Sequence, residues 1–426
     1  MKFLFNNRLF KNGLFKTGAK FSVVSTAGSI VEMIIGFAMM FWLLPEEIGK
    51  WNAVSIFLAY LPFLQLGIQS GLSVELPIRL GNNDENNARL LISNGFAFAI
   101  LVSCVIAVVG SVLTMVYYVN QGLDLALGVV AITISAITSS FQLHFIARYR
   151  SAHAFDFLTR IKLINIPITL SLVYFIYKYH YYGILIYNTV KGIVYVCLML
   201  LYLPYKEVKP YFTKSGFSDL LKTGIAMLIP NNINGAAQTL PKWIILTKSS
   251  VEKLGLYSPA VAVNSLIGML PTQIAQFFHP QMGFLYGKTK KASSMWPYVK
   301  KMNLYMPLAA ALIAIAIWLL APWGLRLFFP KYIESLWAMR IMCIAFVFAS
   351  AKTTTVVFFT IHAYVYAYIV AIFDFIGSFV FPYLCTILLD YDILTSVTIG
   401  LALNNLIVYL LNFVLLKKAL FLPRYN

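Results

Sequence analysis

The sequence is poor in charge and poorer still in acid. Only 11% of its 426 residues are Asp, Glu, Lys or Arg, against roughly 25% in an ordinary soluble domain. A soluble core has no use for so much apolar surface. The four cysteines, Cys104, Cys197, Cys343 and Cys385, each stand alone in an apolar run. That excludes a CxxC pair or a metal-ligand spacing, and they read as small packing residues. There is no Walker A phosphate loop and no glycine-rich dinucleotide fingerprint. No stretch between apolar runs reaches much beyond 20 residues, so no soluble catalytic domain fits. No Ser/His/Asp set shares an outer loop, and the large outer loop expected of a glycan polymerase or ligase is missing. Neither a cofactor nor a metal is expected. The opening stretch MKFLFNNRLFKNGLFKTGAK is basic and amphipathic but lacks the apolar core and small-residue end of a cleavable signal peptide.

What the chain has is length of apolar run. Of its residues 60% are hydrophobic, and the runs fall at 20–44, 52–78, 90–118, 125–145, 161–178, 183–203, 224–247, 254–282, 303–323, 334–359, 364–389 and 393–416. A bilayer core takes about 20 apolar residues per helix, and the backbone has no other open-ended way to cross it. The expectation is an all-α integral membrane protein of about twelve transmembrane helices. The net charge of +18 does not point to nucleic acid, because the basic residues sit in short clusters between apolar runs. With the N-terminus inside, 23 of the 33 Lys and Arg residues fall on the cytoplasmic side and seven on the outer side. That bias orients the chain with both termini in the cytoplasm.

The chain also carries a duplication. LFKTG at 14–18 matches LLKTG at 220–224, an offset of 206. At the same offset PEEIGKW (45–51) falls on VEKLGLY (251–257). Two six-helix bundles of like orientation, residues 1–204 and 220–426, are expected, joined by a cytoplasmic linker at 205–219. Parallel repeats of this kind place the binding site between the halves. Within the first helix Ser25, Ser29, Glu32 and Gly36 share one face, and their partners at the offset are Asn231, Gly235, Gln238 and Lys242. Polar faces in apolar helices turn to a partner helix or to water rather than to lipid.

Four charges lie well inside predicted helices: Glu32, Lys191, Lys352 and Asp374. Lys191 and Lys352 are candidate anion-binding groups of a substrate cavity, with Asn231, Asn234 and Gln238 as amide donors to sugar hydroxyls. Glu32 and Asp374 are candidate carboxylates for ion or proton coupling. The competing reading is structural: Lys352 and Asp374 stand at similar depth on consecutive helices and could form a private salt bridge, and the Asn/Gln cluster could glue helices together. Glu75 and Arg79, spaced i,i+4, are expected to pair locally.

Three segments carry a family resemblance. LLPEEIGKWNAVSIFLAYLPFLQLGIQSGL (43–72), LHFIARYRSAHAFDFLTRIKLIN (143–165) and LRLFFPKYIESLWAMRI (325–341) resemble the helix 1–2 region, the helix 4–5 loop and the segment after helix 9 of polysaccharide-biosynthesis flippases. These belong to the multidrug/oligosaccharidyl-lipid/polysaccharide exporter superfamily, and the O-antigen-type repeat-unit flippases are the branch resembled. The resemblance implies two six-helix bundles forming a V, alternating access, and a bacterial inner-membrane location. The implied substrate is an undecaprenyl-pyrophosphate-linked oligosaccharide of O-antigen, lipopolysaccharide or related surface-glycan assembly. Its diphosphate would sit in a cationic cavity. Membrane lipids and the polysaccharide polymerase machinery are the implied partners. Two alternatives stay open: a cation-coupled multidrug exporter of the same superfamily, and a membrane glycan polymerase or acyltransferase.

Overall fold

A computed structural model describes residues 13–81, 84–152, 154–289 and 291–422; the side chains of some positions within these helices, Asn231 and Asn234 among them, lie outside the description. The described residues form helices and turns with no strand. Among the described residues eight helices are long and apolar enough to cross a membrane, or nine with the bent pair Pro45–Leu64 and Ile68–Pro77, whose axes differ by 49°. The longest, Phe155–Leu201, has 47 residues and is two passes. A straight helix of that length would run about 70 Å, more than twice the ~30 Å hydrocarbon core. It breaks at His180, where φ is 51° and ψ −121°. The chain folds back so tightly that a Cβ on Gly183 would lie 2.1 Å from the Phe175 carbonyl oxygen.

Two further helical segments occupy the remaining expected passes. Lys214–Ala237 runs on through a turn into Leu240–Lys248, and Ser258–Thr289 follows. Leu336–Ala349, part of one of the eight, continues through a 3₁₀ segment, Ser350–Thr355, into Val356–Thr360. With the Phe155–Leu201 segment counted as two, the described helical passes number twelve and coincide with the twelve apolar runs of the sequence. Their outer faces are apolar and exposed, as at Leu312 and Trp323, which is how a lipid-facing surface looks without its lipid.

Helix ends are fixed by local chemistry. Asp84 caps Glu85–Gln121, accepting from the Asn87 backbone N–H at 3.3 Å and its side-chain amide at 2.7 Å. Those bonds, the side-chain one foremost, hold the Asp84 carboxyl below its usual range. Gly122, at φ 89°, turns this helix directly into Leu123–Ser151.

Packing divides the chain into two compact units. One comprises Met1–Leu43 with Val54–Ile229, the other Leu44–Ala53 with Pro230–Asn426. This division differs from the 205–219 boundary drawn from sequence. The reason is that the segment after Tyr202 is strapped to the first unit. Ser93 Oγ donates to the Lys209 carbonyl at 2.6 Å, and Asn94 bonds Thr213 through both side-chain and backbone atoms. Arg148 donates to the Tyr205 carbonyl, and Arg89 pairs with Glu207 at 3.1 Å. The LLKTG motif continues the attachment: Gly67, at φ 74°, packs backbone to backbone on Gly224, where a Cβ on either would lie 2.3 Å from the other's carbonyl oxygen. Chain therefore passes to the second unit in mid-helix, at Pro230.

The second unit contains both copies of the other repeated motif. A Cβ on Gly49 would lie 1.8 Å from the Val251 carbonyl oxygen, and one on Gly255 1.6 Å from that of Pro45. Since 45 pairs with 251 and 49 with 255 at the offset of 206, the contact is reciprocal. Each copy begins with a different half of a capping box. Glu47 reaches back to the Leu44 N–H at 2.8 Å, whereas Ser250 accepts from the Lys253 N–H at 3.2 Å. Lys253 also bridges Glu334 at 2.9 Å and Asp392 at 3.1 Å, and the Glu334 hydrogen bond is the main cause that raises the ammonium's pKa.

The expected Glu75–Arg79 pair gives way to longer-range contacts. Arg79 reaches Asp219 at 3.6 Å and Asp84 at 3.9 Å, while Glu75 accepts from the Thr223 hydroxyl at 2.7 Å. Both fasten the Lys214–Ala237 helix to the first unit.

Candidate functional site

A cavity of about 380 Å³ opens inside the first unit. Three segments wall it: the Gly13–Trp42 helix, the end of Leu123–Ser151, and both arms of the Phe155–Leu201 hairpin. From the first helix come Ser25, Gly28, Ser29 and Glu32, spaced three or four residues apart and so on one face. Gly28 and Gly36 have nothing within 4 Å of where a Cβ would stand, so this face is open rather than packed.

Among the described residues four charged side chains line the cavity: Glu32, Arg150, Lys162 and Lys191. Three cations against one carboxylate leave a formal charge of +2. Lys191 Nζ contacts both Glu32 oxygens, at 3.1 and 3.2 Å, and lies 4.8 Å from the centre of the Tyr187 ring. The Tyr187 hydroxyl donates to Glu32 Oε2 at 3.0 Å. At the other end Lys162 Nζ donates to Ser25 Oγ at 2.7 Å and lies 4.8 Å from the centre of the Phe21 ring. Asn165 and Thr169 follow Lys162 along the same helix face and are joined by a 3.3 Å hydrogen bond. Gln142 donates to the Gly192 carbonyl at 3.5 Å. The lining thus combines fixed positive charge, hydroxyls, amides and an aromatic face, the donor set that a phosphorylated sugar calls for.

Of the residues singled out from sequence, Glu32 and Lys191 meet in this cavity, across 159 positions of chain. Lys352 and Asp374 belong to the second unit and pair there at 2.7 Å. Asp374 is buried and also accepts from Asn404 Nδ2 at 2.9 Å, while Asn404 reaches Ser378 at 3.1 Å. Gln238 is exposed at the turn after Lys214–Ala237; the side chains of Asn231 and Asn234 lie outside the described residues. Arg150 and Lys162 also line the cavity, although by sequence they stand only among the 23 basic residues that orient the chain. The spacing of Lys162, Asn165 and Thr169 is the signal that places them on one face.

The chain belongs to the polysaccharide biosynthesis protein family, whose model matches residues 39–322. No curated protein matches it by sequence. Solved structures share its fold. An inward-facing multidrug resistance MATE family transporter of the MOP superfamily is 14% identical, with TM-score 0.74 over 92% of this chain and 94% of that one. An outward-facing MATE family transporter is also 14% identical, with TM-score 0.66 over 95% of both chains. A MOP superfamily transporter from Pyrococcus furiosus is 16% identical, with TM-score 0.58 over 95% of both. The chain is thus a multi-pass membrane protein of the polysaccharide biosynthesis family with the fold of the MOP transporters.

Proposed function

We propose that this protein translocates an undecaprenyl-pyrophosphate-linked oligosaccharide, an O-antigen or related surface-polysaccharide repeat unit, from the cytoplasmic to the outer leaflet of a bacterial inner membrane by alternating access, with both termini in the cytoplasm. The family model supports a role in polysaccharide biosynthesis. The single observation that carries the substrate class is the charge of the cavity, three cations to one carboxylate. A diphosphate leaving water needs fixed positive charge to replace its hydration, whereas a cationic drug would be repelled. Fold alone does not decide between these, since the Pyrococcus furiosus transporter is described as having a binding pocket of reverse polarity and a different function.

The layout supports this reading in height as well as charge. Lys162 lies seven residues into its helix and Lys191 ten residues from the end of its own, roughly 10 and 15 Å of helical rise. Arg150 stands at a helix end. A diphosphate entering from the headgroup layer meets Arg150 and Lys162 first. Sugars extend toward Ser29, Gln142 and the deeper hydroxyls, and the polyprenyl tail stays in lipid. The test is reconstitution in proteoliposomes with a fluorescent polyprenyl-pyrophosphate oligosaccharide. The expected result is protein-dependent exposure of the glycan to an external glycosidase; substrate that stays protected at every protein density overturns the proposal.

A further inference from the structure

Arg340 stands inside a span of the second unit with no opposite charge beside it. It is the fifth residue of Leu336–Ala349, roughly 6 Å of helical rise from the start of that helix. Among the described residues no ion pair or hydrogen bond reaches its guanidinium, and its Nε is buried without a partner. The nearest acid along the chain, Glu334, is held by Lys253 at 2.9 Å. Lys191 and Lys352, by contrast, each hold a carboxylate. The surroundings of Arg340 are aromatic and apolar. Its Cζ lies 5.3 Å from the ring centres of both Trp318 and Trp337, and Trp318 packs on a buried cluster that includes Ile267, Ala310 and Cys343. Trp337 is 58% exposed and Arg340 partly exposed, so the two border the lipid. Topology gives no reason for this cation. On the orientation proposed above it stands at the outer end of its helix, where the positive-inside bias works against it.

We propose that Arg340, with Trp318 and Trp337, binds the phosphate of a net-anionic membrane lipid, in the outer leaflet on that orientation. An arginine in apolar surroundings is costly without a counter-ion. No described residue supplies one, whereas lipid headgroups at this depth do. Arginine carries its charge permanently and presents paired N–H donors that match the oxygens of a phosphate. Two indole rings beside the guanidinium add cation–π attraction, which is stronger where water is scarce. A zwitterionic lipid fits less well, because its own ammonium would lie close to the guanidinium. Arg340 and Trp318 come from different helices, Leu336–Ala349 and Trp296–Phe328, so a bound lipid bridges two spans. The site is separate from the cavity of the first unit, and the two assignments stand or fall independently.

Tryptophan quenching tests this on the full-length protein in phosphatidylcholine vesicles. The vesicles carry a low mole fraction of phosphatidylglycerol brominated near the headgroup end of its acyl chains. Wild type should be quenched as though the anionic lipid were enriched roughly tenfold at the site, about 1.4 kcal/mol. Arg340→Gln should lose that excess, and the difference between the two should vanish once Trp318→Phe and Trp337→Phe are added to both. An arm without any Arg340 variant guards against misfolding: unbrominated phosphatidylglycerol should relieve the wild-type quenching, and diacylglycerol, which lacks phosphate, should not. A polyprenyl phosphate that relieves it at a lower mole fraction than phosphatidylglycerol assigns the site to a carrier lipid; relief by phosphatidylglycerol alone assigns it to bulk phospholipid. Equal quenching of wild type and Arg340→Gln, relief by diacylglycerol, or a difference that persists without the two tryptophans overturns the proposal.

Discussion

Asn52 donates a hydrogen bond to Ser258 Oγ at 2.9 Å, and the two residues stand 206 positions apart. That is the offset of the duplicated motifs, so a position in one repeat bonds its own counterpart in the other. With the reciprocal Gly49–Val251 and Gly255–Pro45 contacts, it defines a local twofold relation between the two motif copies inside the second unit. The glycines are required there because backbone lies against backbone.

Gly49→Ala and Gly255→Ala should each destabilise the protein by about 1–3 kcal/mol, the usual range for forcing atoms into a filled site. Gly28→Ala and Gly36→Ala serve as controls: nothing lies within 4 Å of either added methyl, and alanine favours a helix by about 1 kcal/mol. Melting in detergent followed by intrinsic fluorescence should rank the four accordingly. A Gly49→Ala protein that melts with wild type would mean the two segments are not in contact.

The Lys352–Asp374 pair should behave as a buried ion pair. Lys352→Met leaves Asp374 charged and buried against Asn404, and the loss should approach the ~3–5 kcal/mol typical of breaking such a pair, reduced because Lys352 is partly exposed. Lys352→Met with Asp374→Asn should recover most of it. A double variant as unstable as Lys352→Met alone would argue that Asp374 is not ionised in the pair.

Lys191→Ala should lower surface polysaccharide in cells while leaving the amount of protein in the membrane unchanged. Glycan staining and membrane immunoblotting read the two quantities separately. Glycan at the wild-type level would remove Lys191 from the site.

In a variant freed of its native cysteines, a cysteine at exposed Lys206 should react with an impermeant maleimide only from the cytoplasmic face. Reaction from outside would invert the topology. Ser93→Ala with Asn94→Ala should make residues 205–213 markedly more sensitive to protease, since those two side chains hold the strap down.

The helices were legible because the bilayer imposes a length on them, and a length is visible in one dimension. The motif duplication was equally legible, since identity at a fixed offset needs no geometry. What stayed hidden depends on packing between distant segments. Nothing in the sequence near Lys191 discloses Glu32. The strap at 205–213 reads as a polar linker because its anchors are backbone carbonyls accepting from Ser93 and Arg148. Arg150 and Lys162 were hidden for the opposite reason: a lysine or arginine near a helix end has an adequate explanation in topology, and their role in the cavity appears only when the first helix is laid against the hairpin.

That hairpin has one more implication. Lys162 and Lys191 project into the cavity from opposite arms of a single fold-back, set by the left-handed His180. Adding or deleting one residue between either lysine and the bend would swing that ammonium by about 100° around its axis, out of the lumen. The arms therefore act as a gauge: their residue count sets the separation of two positive charges, and with it the size of anion that can span both.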